Sequence, residues 1–255
     1  MKLTGNTILL TGGGSGIGRA LAESFQALGN QVIIAGRRKH LLDEVTAANP
    51  GMASVALNID NAASIRATAQ ELTAKYPALN VLINNAGIMR VENLKAQQQD
   101  LADAEALITT NLLGPIRLTA ALLPHLQQQP SSVIMNVSSG LAFVPLAPTP
   151  TYNATKAAIH SYTESLRYQL KGTATAVLEL IPPYVQTDLL DGNEDPRAMP
   201  LKAFIAEVMD ILKTQPHVAE ICVQNVQPFR NAEKNGHYDA VFNGLNEAMA
   251  NMIDH

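Results

Sequence analysis

Residues Thr7–Gly18 read TILLTGGGSGIG. A β-branched and Leu-rich run, Thr7–Leu10, enters a cluster of glycines and leaves into a segment with helical spacing, Ile17–Leu28. A strand, a glycine turn and a helix in that order begin a βα unit. The N-terminus of such a helix offers free N–H groups and a positive dipole end to an anion. Gly12, Gly16 and Gly18, with Ser15 and Ile17 between and beside them, follow a G-x-x-x-G-x-G spacing. Glycines there permit a tight turn and close approach of backbone to a pyrophosphate. A glycine-rich turn alone occurs in many loops; the strand before it and the helix after it make it a candidate dinucleotide site.

Outward from this stretch the same alternation continues. Short apolar runs at Gln31–Ala35, Ser54–Ile59, Asn80–Ile83, Ser132–Val137 and Thr175–Ile181 predict strands buried on both faces. Between them, Lys39–Ala48, Ala62–Tyr76, Asp100–Gln128 and Tyr152–Leu170 predict helices, with Asn61 as a cap and Gly29-Asn30 and Gly172 as stops. Regular alternation implies right-handed crossovers and a parallel sheet. The stretch AQQQD reads as a loop leading into a helix. No linker divides the chain, so residues 1–255 read as a single doubly wound α/β domain. After Ile181 the rhythm breaks at PPYVQTDLLDGNEDPRAMP. A helix at Leu201–Lys213, a strand at Glu220–Val226 and a helix at Tyr238–Asn251 follow. An insertion in that place lies where ligands bind in open α/β sheets, which predicts a substrate lid over about 188–218; a surface loop without a role is the alternative.

Composition narrows the function. Of 255 residues, 47% are hydrophobic, enough for a sizeable core. The net charge of −4 and the absence of a basic run argue against nucleic acid as a partner. The single cysteine, Cys222, excludes an internal disulfide and suggests a reducing, cytoplasmic setting; it reads as a buried apolar residue. The N-terminal apolar run is too short for a membrane segment. The six histidines show no metal-ligand spacing, and no metal is expected.

The second strand ends IIAGRRKH. A site for NAD(H) usually places a carboxylate there for the ribose 2′-hydroxyl. Arg37 and Arg38 stand in its place, and guanidinium groups suit a 2′-phosphate. NADP(H) is expected over NAD(H). Asp60, at the end of the third strand, is placed to meet an adenine or to cap the next helix.

Later segments complete a pattern: NNAG at Asn84–Gly87, Asn111 in TNLLGPIRLT, NVSSG at Asn136–Gly140 and YNATK at Tyr152–Lys156. With the glycine turn they resemble, in order and spacing from Leu3 to about Leu190, the motifs of the short-chain dehydrogenase/reductase family. The resemblance implies one Rossmann-type domain with a seven-stranded parallel sheet, no metal, and interconversion of alcohols and carbonyls with a nicotinamide nucleotide. It implies Tyr152 as acid/base, Lys156 as the ribose-holding group that lowers the tyrosine pKa, and Asn111 as holder of a relay water. Ser139, thirteen residues before Tyr152, is implied as the donor to the substrate oxygen, with Ser138 as a competing neighbour. Asn85, Ala86 and Gly87 are implied to line the adenosine side. The chemistry agrees: a carbonyl receiving hydride develops oxyanion character and needs a proton donor and a stabilising donor.

The segment IPPYVQTD departs from the Pro-Gly that the family commonly has there: Pro183 stands for the glycine. Proline fixes φ and removes an N–H, which predicts a rigid wall beside Tyr184. Val185 and Thr187 remain to hold the carboxamide. Met89, Leu141, Phe143, Val144, Tyr184, Leu189 and Leu190 are expected around a mostly apolar pocket, with Arg90 the one cation in reach. A neutral, hydrophobic ketone or aldehyde is the expected substrate. A non-catalytic NADP(H)-binding sensor on the same fold is the alternative, although Asn111, Ser139, Tyr152 and Lys156 are all present. The resemblance also implies a homodimer or homotetramer, formed through the helices that carry Asn111 and the Tyr-Lys pair.

Overall fold

The computed structural model describes residues 1–96, 100–190 and 195–250. Seven parallel strands form one sheet in the order β3-β2-β1-β4-β5-β6-β7. They are β1 (Thr7–Thr11), β2 (Gln31–Gly36), β3 (Ala53–Ala56), β4 (Leu79–Asn84), β5 (Ser132–Val137), β6 (Thr175–Ile181) and β7 (Glu220–Cys222). The helices are α1 (Gly16–Ala27), α2 (Lys39–Ala48), α3 (Ala62–Lys75), α4 (Ala102–Ile108), α5 (Gly114–Leu126), α6 (Pro150–Gln169), α7 (Leu201–Thr214), α8 (Gln227–Arg230) and α9 (Tyr238–Ala248).

Strand residues alternate between the two faces, and each face has its own core. On one face Ile8, Leu10 and Ile34 pack with Leu21 and Phe25 of α1 and Phe204 and Val208 of α7. On the other, Leu9, Ile33 and Leu82 pack with Leu72 of α3, Leu118 and Leu122 of α5 and Leu166 of α6. Each fully buried Leu, Ile or Phe contributes about 1.5–3 kcal/mol relative to exposure. The stretch Ala102–Leu126 is long and apolar enough to cross a membrane, yet Leu118, Leu122 and Leu126 are fully buried on the sheet.

Most predicted elements shift by a residue or two at their ends, and three change more. The third strand stops at Ala56 rather than Ile59. The Asn58 side chain accepts from the N–H of Asp60 at 3.1 Å, an Asx-type turn that breaks the ladder. The predicted Asp100–Gln128 helix is split by a π-helical turn, Thr109–Leu113, which holds Asn111. The last strand stops at Cys222, followed by a 3₁₀ turn at Gln224–Val226. The local signals are realised as read. Asn61 accepts from the N–H groups of Ala63 and Ser64 at 2.8 and 3.0 Å, and Gly29 and Gly172 have φ of 82° and 84°. Part of AQQQD, residues 191–194 of the expected lid, the end of the last predicted helix at Asn251 and the Leu190 side chain lie outside the described residues.

The strand order reverses between β1 and β4, a switch point where crossovers leave on opposite sides and open a crevice. The carboxyl ends of β1, β4, β5 and β6 all deliver chain to it. Across the sheet Asn84, Asn136, Glu179 and Glu220 stand in register on adjacent strands. Asn84 donates to Thr119 of α5 at 3.1 Å and to Asn136 at 2.8 Å, and Asn136 donates to Thr163 of α6 at 2.8 Å. These buried bonds tie the helices that carry the site to the strands that carry its other half.

Candidate active site

A cleft of about 700 Å³ runs along the carboxyl ends of the strands. One end is the glycine turn. Gly12 has φ 72°, which favours glycine. A Cβ on Gly18 would stand 2.3 Å from the Gly12 carbonyl oxygen and 2.4 Å from Asn85 Nδ2. Only glycine lets α1 start so close to the turn. Thr11 braces the other side: its Oγ1 accepts from the N–H groups of Asn85 and Ala86, each at 3.0 Å. Gly12, Ser15, Gly16, Ile17, Gly18, Asn85, Ala86 and Gly87 therefore line one continuous wall. A backbone cradle with no room for side chains, at a helix N-terminus, fits a pyrophosphate.

Beyond the turn, Arg37 and Arg38 reach the same cleft. Arg37 pairs with Asp60 at 2.9 Å, and Thr110 donates to the other Asp60 oxygen at 2.6 Å. Asp60 thus anchors an arginine and leaves the cap to Asn61. Arg38 donates to the neutral hydroxyl of Ser15 at 3.0 Å. A guanidinium beside a hydroxyl and a helix N-terminus fits a phosphate monoester.

At the middle of the cleft α6 presents Tyr152 and Lys156, both buried. Pro150 opens α6, and Glu92 accepts from the Thr151 N–H at 2.9 Å and its hydroxyl at 2.8 Å. A carboxylate at a helix N-terminus is favourable, so the first turn that carries Tyr152 is fixed from outside. The Ser139 side chain lies close enough to the Tyr152 phenol to act on it, which favours Ser139 over Ser138. The Ser138 hydroxyl is buried without a partner among the described atoms. Lys156 Nζ lies 5.5 Å from the centre of the Tyr152 ring and donates to the Val137 carbonyl at 2.9 Å. Asn111 exchanges two bonds with Ile88, donating at 2.8 Å and accepting at 2.9 Å, and reaches Thr155 of α6 at 3.3 Å. Its side chain thereby clamps the segment after Gly87 to α6.

Burial controls the two titrating groups. It pushes the Tyr152 phenol up to about 12, opposed by the neighbouring Ser139 side chain. It pushes the Lys156 ammonium down to about 8, opposed by the charge of Glu179. The expectation that Lys156 lowers the phenol is not met in the protein alone. The ammonium is turned to Val137, and desolvation dominates.

The other end of the cleft is mostly apolar. Met89, Leu107, Leu146 and Tyr152 form a small core of their own, with Leu141, Leu245 and Met249 against it. Met89, Leu141, Tyr184 and Leu189 line the cleft as expected, and so do Pro183, Val185 and Thr187. The segment after β6 is fixed by two bonds to Met199, from Gln186 N–H at 2.9 Å and to the Tyr184 carbonyl at 2.8 Å. Neither uses the Val185 N–H. Phe143 is a correction: it is not among the residues that line the cleft. The 3₁₀ turn Gly140–Ala142 carries it away, to meet His160 edge-on at 4.7 Å beneath the Arg230 guanidinium. Val144 is fully buried and also absent from the lining.

Sequence reading found the helix near Tyr238 but missed its place in the cleft. Leu245 and Met249 form part of the cleft wall. Asn246 accepts from the Ala147 N–H at 2.6 Å and donates to the Pro145 carbonyl at 3.2 Å, so the helix is docked on the loop before α6. The Leu245/Met249 spacing shows an apolar face; nothing local shows which surface it covers. Arg197 was missed as well. It pairs with Asp195 at 2.6 Å, bonds the Ala248 carbonyl and lines the cleft. His160, read as an ordinary histidine, is bonded to Glu179. Together with Glu220 they bring ligand-type atoms within 4.8 Å of one another, but Glu220 is held by Arg230 through two bonds of 2.6 and 2.9 Å. The Cys222 thiol is pushed up to about 12, chiefly by burial, far from a nucleophile's range.

Comparison with known proteins agrees with this geometry. The sequence profile described as short chain dehydrogenase matches residues 6–198. An uncharacterized oxidoreductase of Bacillus subtilis, DltE, is 38% identical over 251 residues, covering 96% of this chain and 98% of that one. A short chain dehydrogenase from Burkholderia cenocepacia, solved with NADP, superposes with a TM-score of 0.80 at 24% identity, over 96% of this chain and 99% of that one. A short chain dehydrogenase/reductase from Burkholderia phymatum, solved with NAD, superposes with a TM-score of 0.77 at 22% identity, over 94% and 96%. At those identities the two structures speak for the fold. With the matched profile, the near full-length relative and the sheet order together, this chain belongs to the short-chain dehydrogenase family and is an oxidoreductase of that family.

Proposed function

We propose that the protein is an NADPH-dependent reductase of neutral, hydrophobic ketones or aldehydes, with Tyr152 as the proton donor. One observation carries the reading: the Tyr152 phenol, with Ser139 and Lys156 beside it in the same cleft, stands where the nucleotide wall meets the apolar end. Bound along the glycine wall, the nicotinamide nucleotide supplies the hydride. Tyr152 and Ser139 both direct hydroxyls at the place where a carbonyl oxygen gains charge. Tyr152 gives its proton to that oxygen, and Ser139 donates a hydrogen bond to it. Lys156 stabilises the phenolate that Tyr152 becomes. Asn111 holds the Ile88 segment and α6 together, so that the distance between nucleotide wall and acid is kept.

The preference for NADPH rests on Arg38 and Ser15, with Arg37 positioned by Asp60. The preference for neutral substrates rests on charge balance. Arg197 is matched by Asp195, and Arg90 lies 3.7 Å from Asp103, so neither presents an unbalanced charge to the apolar end. The test is a panel of aromatic and aliphatic carbonyls and anionic keto acids, assayed with NADPH and with NADH. Turnover of neutral carbonyls with NADPH supports the reading. Turnover of keto acids alone, or a preference for NADH, overturns it.

A further inference from the structure

Glu179 is a fully buried carboxylate that the chemistry above does not use. A charge without exposed surface is strongly unfavourable unless it is paired and hydrogen-bonded. Its partner is His160, whose Nδ1 lies 2.8 and 3.0 Å from the two carboxylate oxygens. Tyr152, Lys156 and His160 follow one another at four-residue steps on α6, a spacing that aligns side chains on one face. The sheet leads to the same place. Lys156 is bonded to the carbonyl of Val137 on β5, and Val137 is paired with Leu180, the residue after Glu179 on β6. The carboxylate, held on His160, thus lies one helical turn along α6 from Lys156 and on the strand next to the one that Lys156 bonds.

We propose that Glu179 is the counter-charge of Lys156: a positioning residue, held by His160, that keeps the ammonium protonated and so acts through it on Tyr152. This inference rests on the reading of Tyr152 and Lys156 given above. The charge of Glu179 is also what opposes the effect of burial on Lys156. His160 is raised first of all by its hydrogen bond to Glu179, which favours an imidazolium in the pair. The other charged groups around the pair have their own partners or directions. Glu220 of β7 and Arg230 of α8 bond each other. Arg167 of α6 faces the carbonyls of Val177 and Ala219. Glu164 of α6 is 3.8 Å from His160 on its more exposed side.

The test follows Lys156 directly. In protein carbon-13-labelled at lysine Cε, nuclear magnetic resonance gives the Lys156 titration, with the signal assigned by its loss in Lys156→Arg. In the native chain the midpoint is expected near 8. Glu179→Gln keeps the shape and removes the charge, so the midpoint falls by about one to three units; Glu179→Asp, which keeps the charge, restores most of it. An unmoved midpoint in Glu179→Gln overturns the inference. Should that variant not fold, the native chain still decides: a buried lysine without an anion titrates near about 5–6, and a native midpoint there excludes a counter-charge. The readout needs no turnover. Failure here removes Glu179 from the account and leaves Tyr152 to its own test by Tyr152→Phe.

Discussion

Lys156 holds its ammonium 5.5 Å from the centre of the Tyr152 ring while bonding the backbone carbonyl of Val137. The ammonium is therefore tied to the last residue of β5, two residues before Ser139. Burial moves them in opposite directions, the phenol up to about 12 and the ammonium down to about 8.

That pair sets a pH dependence. In reduction Tyr152 must hold its proton, and it does so throughout the neutral range. Lys156 must be charged to stabilise the phenolate left behind, and it loses its proton as pH rises through about 8. The kcat for carbonyl reduction is expected to be flat at lower pH and to fall above about 8. A profile of kcat against pH checks this; a plateau that continues well beyond that value contradicts it.

The glycine wall gives a second prediction. Gly18→Ala places a methyl group 2.3 Å from the Gly12 carbonyl oxygen and 2.4 Å from Asn85 Nδ2. Backbone cannot yield as a flexible side chain does, so stability falls by about 1–3 kcal/mol and nucleotide binding is largely lost. Thermal unfolding and NADPH fluorescence titration measure the two effects separately.

The arginines are not equivalent. Arg37 is neutralised by Asp60, whereas Arg38 bonds only a hydroxyl among its described partners. Arg38→Ala is expected to weaken NADPH binding about ten- to a hundredfold and to leave NADH binding nearly unchanged. Arg37→Ala is expected to cost less. Isothermal titration with both nucleotides distinguishes them.

The C-terminal helix gives a prediction about substrate. Asn246→Ala removes the bonds to Ala147 and Pro145 that dock α9. Leu245 and Met249 then lose their place in the cleft wall. KM for hydrophobic carbonyls is expected to rise by up to about thirtyfold, each of the two lost bonds being worth about 1 kcal/mol, while NADPH affinity stays the same. Steady-state kinetics with each substrate varied in turn checks the separation.

Much of this was legible because its signals are local. The glycine turn, the Asn61 cap and the four-residue step from Tyr152 to Lys156 each lie within a few residues, where backbone geometry fixes the outcome. The helix around Asn111 was legible, but the π-helical turn that interrupts it was not. What sequence reading missed depends on chain that meets from far away. His160 and Glu179 are 19 residues apart, on a helix and on the strand beneath it. Asn246 docks about a hundred residues from its partners, Ala147 and Pro145. Phe143 was misplaced because a 3₁₀ turn redirects the chain just after Ser139, and apolar character alone does not say which cavity a side chain fills.

The central claim is that Tyr152 supplies the proton. The most direct measurement is single-turnover oxidation of bound NADPH by a neutral aromatic aldehyde in the native chain and in Tyr152→Phe. The variant keeps the ring in its apolar setting among Met89, Leu107 and Leu146 and removes only the hydroxyl. The account predicts a rate lower by about 10²–10⁴-fold with NADPH affinity unchanged. A variant that oxidises NADPH at the native rate would contradict it.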